Sequence, residues 1–202
     1  MARLLVNYAH PGHRLSQVNK PLADAAASVE GVTFVDLYRE YPRFEINIDL
    51  EQERLIAHDV ILFQFPFFWY STPSLVKEWE DLVLEHGFAY GSGGDKLAGK
   101  TLMLAITAAG PDDAYAPDGY QHFSLREFLR PLEQTASLCH MEFSPPYVLF
   151  GSLKAPKAGQ VQPHVDGYRQ LLEAIRDDRY DFDTAAQQDF VTYQTLPIKE
   201  DA

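Results

Sequence analysis

The 202-residue sequence predicts an α/β domain in which a parallel β-sheet carries helices on both of its faces. The candidate strands are apolar over their whole length, which is typical of strands that are buried on both faces. Amphipathic helical segments separate these strands, as parallel strands require, because each must be joined to the next by a crossover connection. The chain shows no internal repeat and no low-complexity segment, so this alternation describes its whole organisation.

The predicted strands are short apolar runs rich in branched and aromatic residues. The first run, RLLVNYA, ends at His10-Pro11-Gly12, a turn sequence that stops the strand. In chain order the predicted strands are Arg3–Ala9, Val32–Leu37, Val60–Phe65, Thr101–Ile106 and one within Phe143–Phe150.

The predicted helices alternate with these strands and are marked by their start signals and apolar faces. Ser16 is placed to cap the first helix, and Ser71-Thr72-Pro73 combines a hydroxyl cap with a proline in the first turn. The helix that follows Pro73 carries apolar residues at helical spacing. The other predicted helices are Gln17–Ser28, Leu50–Ala57, Ser124–Leu138 and Val161–Arg176.

Five strands favour the flavodoxin-like doubly wound sheet, order 2-1-3-4-5, over the six-stranded dinucleotide-binding fold. The chain has no G-x-G-x-x-G after its first strand and no P-loop motif, so those two phosphate sites are not expected. We predict one domain over residues 1–182. Residues 183–202 form a C-terminal tail that either packs on a partner subunit or frays.

Composition narrows the function classes. The 17 basic and 29 acidic residues leave a formal net charge of −12, which argues against nucleic acid and anionic lipid as partners. Cys139 is the single cysteine and is predicted to be buried, so no disulfide framework is expected. Without a signal peptide or an apolar run of membrane-spanning length, the protein is expected to be soluble and cytoplasmic.

The loop after the first strand is a candidate anion site. The first turn of the predicted helix has backbone N–H groups without intrahelical partners, and the helix dipole adds positive potential there. His10, His13 and Arg14 are the local cationic or cationisable side chains, so the loop suits a phosphate monoester. The alternative is a simple Ser16 cap beside exposed histidines; a metal site lacks a third ligand at useful spacing. The candidate donors are His10, Ser16, Gln17, Val18 and Asn19.

Two further loops fall at the same edge, where ligands bind in open α/β sheets. Consecutive aromatic residues after the third strand cannot all face the core, so some should line a crevice for a flat conjugated ligand. Ordinary core packing at a strand–helix junction is the alternative for these rings. After the fourth strand, small residues allow close approach of the backbone. The residues are Pro66, Phe67, Phe68, Trp69 and Tyr70, then Thr107, Ala108, Ala109 and Gly110.

These motifs resemble a known family. The chain is similar to the flavodoxin-like NAD(P)H:quinone oxidoreductases of the DT-diaphorase type, most closely the bacterial flavin-binding ancillary proteins of glutathione-regulated potassium-efflux (Kef) systems. The resemblance covers residues 3 to about 176. It rests on Tyr8-Ala9-His10-Pro11 with Ser16 and Asn19, on Pro66–Ser71 with Pro73, Leu75, Lys77 and Trp79, and on His86–Gly91.

The resemblance implies a homodimer with one flavin per subunit, FMN in preference to FAD. NAD(P)H would be the electron donor and a quinone or similar electrophile the acceptor, in ping-pong kinetics at one shared site. Tyr115 and His122 are the nearest matches to the family's catalytic tyrosine and histidine, and Tyr120 competes with Tyr115. The third loop, Thr107-Ala108-Ala109-Gly110, departs from the family's usual Thr-Thr-Gly-Gly and carries two alanine methyl groups. The alternative function is a regulatory subunit on the cytoplasmic domain of a potassium-efflux transporter, peripheral to the inner membrane.

Overall fold

The parallel sheet at the centre of the protein has the strand order β2-β1-β3-β4-β5, with β6 also paired to β4. The computed structural model describes residues 1–199. All pairings are parallel, and β1 lies between β2 and β3 with Leu4 opposite both Val32 and Val60. The predicted order 2-1-3-4-5 is therefore confirmed. The strands are β1 Leu4–Tyr8, β2 Val32–Asp36, β3 Val60–Pro66, β4 Thr101–Thr107, β5 Glu142–Phe143 and β6 Tyr147–Leu149.

Helices cover both faces of the sheet, and each face has its own hydrophobic core. The helices are α1 Asn19–Ser28, α2 Leu37–Glu40, α3 Ile48–Ala57, α4 Ser74–Val83, α5 Leu125–Phe128, α6 Arg130–Leu138, α7 Val161–Arg176 and α8 Phe182–Ala185. Two short 3-10 turns lie at His13–Leu15 and Asp112–Ala114. Because side chains alternate along a strand, Leu5 of β1 packs in the core under α3, α4 and α6, whereas Leu4 packs in the core under α1 and α7.

The predicted fifth strand is divided. β5 and β6 both run parallel beside β4, and the interruption contains Pro145 and Pro146. A proline has no N–H to donate to the ladder, so the strand cannot continue through this pair. Cys139 is buried, as predicted.

Several helix boundaries differ from the prediction. α1 begins at Asn19 and not at Gln17, although Ser16 Oγ still accepts the Asn19 N–H at 2.9 Å. α4 has Pro73 at its N-cap and no side-chain cap, so the predicted hydroxyl cap is wrong. The single helix predicted over Ser124–Leu138 is two helices that meet at Leu129, because Pro131 falls in the first turn of α6 and cannot donate backward.

Other boundaries differ by smaller amounts. α3 begins at Ile48, earlier than predicted, because Asn47 caps it by accepting the Leu50 N–H. The second strand ends at Asp36, which caps α2, so the prediction that Leu37 belongs to that strand is wrong. α7 has the predicted bounds.

The C-terminal tail, described as far as residue 199, packs on its own chain. The Val148 N–H donates to Val191 O, and the Val191 N–H donates to Pro146 O, both at 2.9 Å, so the tail lies alongside β6. Val191 is fully buried. The alternative that the tail packs on a partner subunit stays a prediction, and its last residues, 200–202, lie outside the described part.

Candidate functional site

A cleft opens at the carboxyl edge of the sheet, where β1, β3, β4 and β6 end. It encloses about 910 Å³ when the open mouth is counted. The three loops that the sequence singled out meet there. Lining residues are His10, Gly12, Leu15, Ser16, Gln17, Val18, Asn19, Pro66, Phe67, Phe68, Thr107, Ala109, Ser152, Leu153 and Pro156.

The start of α1 presents unpaired backbone donors to this cleft. Within residues 1–199 no group accepts the N–H of Gln17 or of Val18. The Asn19 N–H is already taken by Ser16 Oγ. The helix dipole of the ten-residue α1 adds positive potential at the same point. Two free N–H groups at a helix start can bind an anion in a protein whose net charge is strongly negative.

A buried polar network fixes this helix start to the sheet. Asn19 Nδ2 donates to Thr107 Oγ1 at 2.7 Å, and Gln64 Nε2 donates to Asn19 O at 3.1 Å. All three side chains are buried. The Asn19 amide therefore points at β4, and its role as a donor to the anion stays a prediction. Asn19 Oδ1 has no partner among the described residues, which leaves a buried acceptor beside the cleft.

His10 supplies a neutral donor at the cleft wall. Its Nδ1 accepts the Gly12 N–H at 3.0 Å, so in the neutral ring the proton resides on Nε2. Burial lowers the pKa of His10, and the nearby His13 lowers it further. His10 is accordingly uncharged at neutral pH, and its ring packs edge-on against Phe68 with ring centroids 5.8 Å apart. The Tyr8 hydroxyl in turn hydrogen-bonds His13 Nδ1 at 2.9 Å.

The aromatic segment after β3 forms a tight two-residue turn. Phe68 and Ser71 exchange both backbone hydrogen bonds, and Trp69 and Tyr70 between them have φ of 47° and 66°. Left-handed backbone in a non-glycine residue costs on the order of 1–2 kcal/mol, and such strain clusters at functional sites. Trp69 is 92% exposed, and within the described part of the chain neither turn residue's N–H has an acceptor.

Some rings of this turn are buried in the core and others are exposed. The segment therefore combines the two predicted roles, ordinary core packing and the lining of a ligand crevice. Phe67 is buried and meets Tyr115, whereas Phe68 lines the cleft. Tyr70 stacks on Phe128 with ring centroids 4.9 Å apart. Phe67 thus acts as a core residue, and Phe68 and Trp69 remain available to a flat ligand.

The loop after β4 closes the other side of the cleft. Ala108 is buried and its N–H donates to Leu149 O, whereas Ala109 is exposed and lines the cleft. The two methyl groups are thus accommodated, one in the core and one at the cleft surface. A Cβ at Gly110 would lie 2.9 Å from the Tyr120 hydroxyl and 3.1 Å from the Tyr115 ring, so a side chain there would require these tyrosines to shift.

Tyr115 and His122 do not line the cleft. Tyr115 is buried among Phe67, Phe128 and Phe150, and burial raises the pKa of its hydroxyl, with Tyr120 adding to the shift. His122 is exposed, with a φ of 63°. Their catalytic roles stay predictions.

Sequence reasoning missed the fourth loop of the cleft. Ser152, Leu153 and Pro156 follow β6 and reach the same edge, and the Ser152 N–H donates to Ala108 O. The edge rule would have found them, since they also follow a predicted strand. Among residues 1–199 no cluster of potential metal ligands occurs, and no helix is long and apolar enough to cross a bilayer.

The cleft fits a flavin mononucleotide unit. The unpaired N–H groups of Gln17 and Val18 suit its phosphate, and the unpartnered Asn19 Oδ1 suits a hydroxyl of the ribityl chain. The exposed faces of Phe68 and Trp69 suit a ring system, and the N–H groups of the turn suit its polar edge. The donors at the start of α1, the Asn19 acceptor and the Phe68 ring therefore occur together in one cleft, whereas Trp69 and Tyr70 follow Phe68 outside its lining.

Comparisons with known proteins agree with this assignment. Residues 2–172 match the model of a family described as having a flavodoxin-like fold. The ancillary protein KefG of a glutathione-regulated potassium-efflux system from Cronobacter sakazakii is 46% identical, over 85% of this chain and 92% of its own length.

Solved structures extend the comparison. General stress protein 14 from Treponema denticola, in complex with FMN, is 34% identical with a TM-score of 0.79, covering 86% of this chain and 99% of that one. An NADPH-quinone reductase from P. pentosaceus is 27% identical with a TM-score of 0.73, covering 84% and 96%.

Proposed function

Since the chain belongs to this flavodoxin-like fold family and is an enzyme of the NAD(P)H:quinone oxidoreductase type, we propose that it works through bound FMN. The reaction oxidises NAD(P)H and reduces a quinone or similar electrophile with two electrons and two protons. The observation that carries the proposal is the pair of free N–H groups at Gln17 and Val18 beside an aromatic turn. The FMN in the Treponema denticola relative supports it, and FAD is the alternative cofactor.

Each loop of the cleft has a separate task. Gln17 and Val18 bind the phosphate, and the neutral His10 offers its Nε2 proton next to it. The N–H groups of Trp69 and Tyr70 face the polar edge of the ring system and stabilise negative charge that develops there on reduction. The flavin supplies the electron transfer when bound, and the protein supplies orientation and access.

Donor and acceptor use the cleft in turn, at one shared site beside the ring system. This arrangement predicts ping-pong kinetics. Tyr115 remains protonated at neutral pH, since its pKa is raised, and it contacts the ring of Phe67 from behind. We propose Tyr115 as a positioning residue and the exposed His122 as a proton donor.

We also propose a homodimer in which the partner covers the exposed rings. Phe68, Trp69, Tyr70, Tyr120 and Phe123 form an exposed aromatic surface around the turn. Large exposed apolar patches commonly mark interaction sites, and this one includes Phe68 of the cleft lining. Light scattering on the purified protein tests this; a monomer at micromolar concentration would contradict it.

Flavin binding is tested by replacing Ser16, whose hydroxyl holds the first turn of α1. We expect Ser16→Ala to weaken FMN binding about tenfold, a loss of about 1.4 kcal/mol. Riboflavin lacks the phosphate, so its affinity should hold. Ser137→Ala, an exposed site on α6, is the matched control. Equal FMN affinity in both variants would contradict the phosphate site.

A second function is favoured by the similarity to KefG. We propose that the protein also serves as an ancillary subunit on the cytoplasmic domain of a potassium-efflux transporter, with reductase activity secondary. Potassium efflux measured in cells with and without the gene tests this directly. Unchanged efflux, together with quinone reduction by the purified protein, would contradict the ancillary role and support only the enzyme function.

A further inference from the structure

A groove separate from the cofactor cleft runs between α4 and α6. It has a volume of about 370 Å³ and meets a smaller apolar chamber of about 30 Å³ in the core beneath. The walls of the chamber include Ile61 and Phe63 of β3 and Leu104 of β4. Groove and chamber share five lining residues, so the one leads into the other: Thr72, Glu80, Leu84, Leu132 and Thr135. We call these two connected spaces the α4–α6 groove.

Glu80 of α4 lies where the groove meets the chamber, and it is the one carboxylate among the residues that line both. It is partly buried, and within the described chain its carboxyl group has no hydrogen bond and no ion pair. Lys77 is already paired with Asp81 on the same helix. Burial raises the pKa of Glu80 to about 7, while Lys77 lowers it and Asp81 raises it further. A carboxylate in these apolar surroundings thus lacks the partner that would stabilise its charge.

Two threonine hydroxyls border the same junction. Thr135 of α6 donates its hydroxyl proton to Pro131 O at 3.0 Å, so its oxygen is still able to accept hydrogen bonds. The Thr72 hydroxyl, just before α4, has no hydrogen bond among residues 1–199. Burial raises the pKa of the Cys139 thiol and Glu80 raises it further, which places the carboxylate near the end of α6. One carboxylate and two hydroxyls therefore offer an acceptor each to the three N–H donors of an ammonium group.

The walls around these acceptors are mainly apolar. Leu84, Leu129 and Leu132 line the groove, and Leu138, a further lining residue, is 53% exposed. Apolar surface of this kind favours contact with a hydrocarbon chain or ring over contact with water. The net charge of −12 attracts cations and repels anions. Surface and charge together therefore favour an apolar molecule with a cationic group.

The groove also reaches the back of the aromatic turn at Trp69 and Tyr70. Phe128 lines the groove, and its ring stacks on Tyr70 with ring centroids 4.9 Å apart. Ser71 also lines it, and Ser71 closes the turn by exchanging both backbone hydrogen bonds with Phe68. A molecule in the groove would therefore contact residues that hold the turn in place.

We propose that the α4–α6 groove binds an amphipathic primary ammonium, an apolar chain or ring that ends in –NH₃⁺. The ammonium group pairs with Glu80 and donates to the hydroxyls of Thr72 and Thr135, and the apolar part lies along Leu129 and Leu132. The groove shares no lining residue with the cofactor cleft, so the inference does not depend on flavin binding.

The test titrates octylammonium chloride into the full-length protein, as purified, by isothermal titration calorimetry. Octanoate and octanol are the ligand controls, because they have the same chain with a negative charge or with none. Glu80→Gln keeps the shape of the side chain and removes its charge. Glu78→Gln is the matched control, since Glu78 is exposed on α4 and lines neither the groove nor the chamber.

We expect octylammonium to bind saturably and equally to the wild type and to Glu78→Gln, and about tenfold more weakly to Glu80→Gln. The ammonium pairs with the ionised carboxylate, so its affinity for the wild type should fall about tenfold from pH 8 to pH 6. Glu80→Gln should lose this pH dependence, which separates it from the titration of the other lining groups: Lys77, Asp81, Tyr90 and Cys139.

The proposal is overturned if the wild type does not bind octylammonium, if octanoate or octanol binds as tightly, or if the two variants bind it equally. An affinity that falls as the protein concentration rises would show a second copy of the chain in the groove, and would also overturn it. Thermal unfolding at pH 8 checks the fold of the variant: Glu80→Gln should melt at or above the wild-type temperature, because it removes an unpartnered carboxylate. Loss of octylammonium binding would leave the flavin proposal untouched.

Discussion

Removal of one buried hydroxyl tests the link between the phosphate site and the sheet. Thr107 is buried in β4 and accepts the Asn19 amide N–H at 2.7 Å. Thr107→Val keeps the side-chain volume but removes the acceptor of the Asn19 Nδ2 hydrogen bond. The Asn19 amide would then have an unpaired N–H as well as its unpartnered Oδ1. An unsatisfied buried donor costs about 1–3 kcal/mol. At about 2–4 °C per kcal/mol for a chain of this size, the flavin-free protein should melt roughly 2–12 °C lower.

The variant should also weaken FMN binding, because the start of α1 is no longer held against β4. Thermal unfolding followed by circular dichroism and FMN titration followed by flavin fluorescence measure the two effects. Thr107→Ser restores the hydroxyl and should recover both. Thr101→Val, at the other end of the same strand, is the control. If Thr107→Val matches Thr101→Val in melting temperature and FMN affinity, the network does not support the site.

Three further perturbations follow from other parts of the fold. His164 is fully buried, its side chain has no hydrogen-bond partner among residues 1–199, and burial lowers its pKa to about 3. Since the unfolded chain takes up this proton below about pH 6.5 and the folded chain does not, stability should fall by about 1.4 kcal/mol per pH unit from there towards pH 3; His164→Phe should flatten that slope in urea titrations. Trp69→Gly should relieve the left-handed backbone, so it should leave the unfolding free energy equal or higher while flavin retention falls, and a loss of both would argue against strain at the turn. Deletion of residues 183–202 removes the buried Val191 from beside β6. The loss of this one buried side chain should lower the unfolding free energy by about 2 kcal/mol. An unchanged unfolding free energy would show that the tail is dispensable.

The central strands β1, β3 and β4 were predictable because they are buried on both faces, so each is a continuous apolar run in the sequence. β1, β3 and β4 were placed within one residue at each end for this reason. The helix starts were less predictable. The Ser16 hydroxyl accepts the first N–H of α1, but α1 begins at Asn19, two residues later than predicted. The free N–H groups of Gln17 and Val18 therefore precede the helix.

The sequence predicted where the site lies in the fold, but not which contacts its side chains make. The edge rule brought the three loops together, but no sequence pattern shows which way an amide points. Asn19 faces Thr107 because Gln64 and the sheet supply partners that only the fold assembles. The short helix after β2 was missed for a similar reason, since its cap is the carboxylate of Asp36 at a strand end.

The most direct test of the account is a crystal structure of the protein grown with FMN. We predict the FMN phosphate within hydrogen-bond distance of the Gln17 and Val18 N–H groups. The ring system should lie against the turn at Phe68 and Trp69. A cleft filled by its own side chains, or a phosphate bound away from the start of α1, would contradict the account.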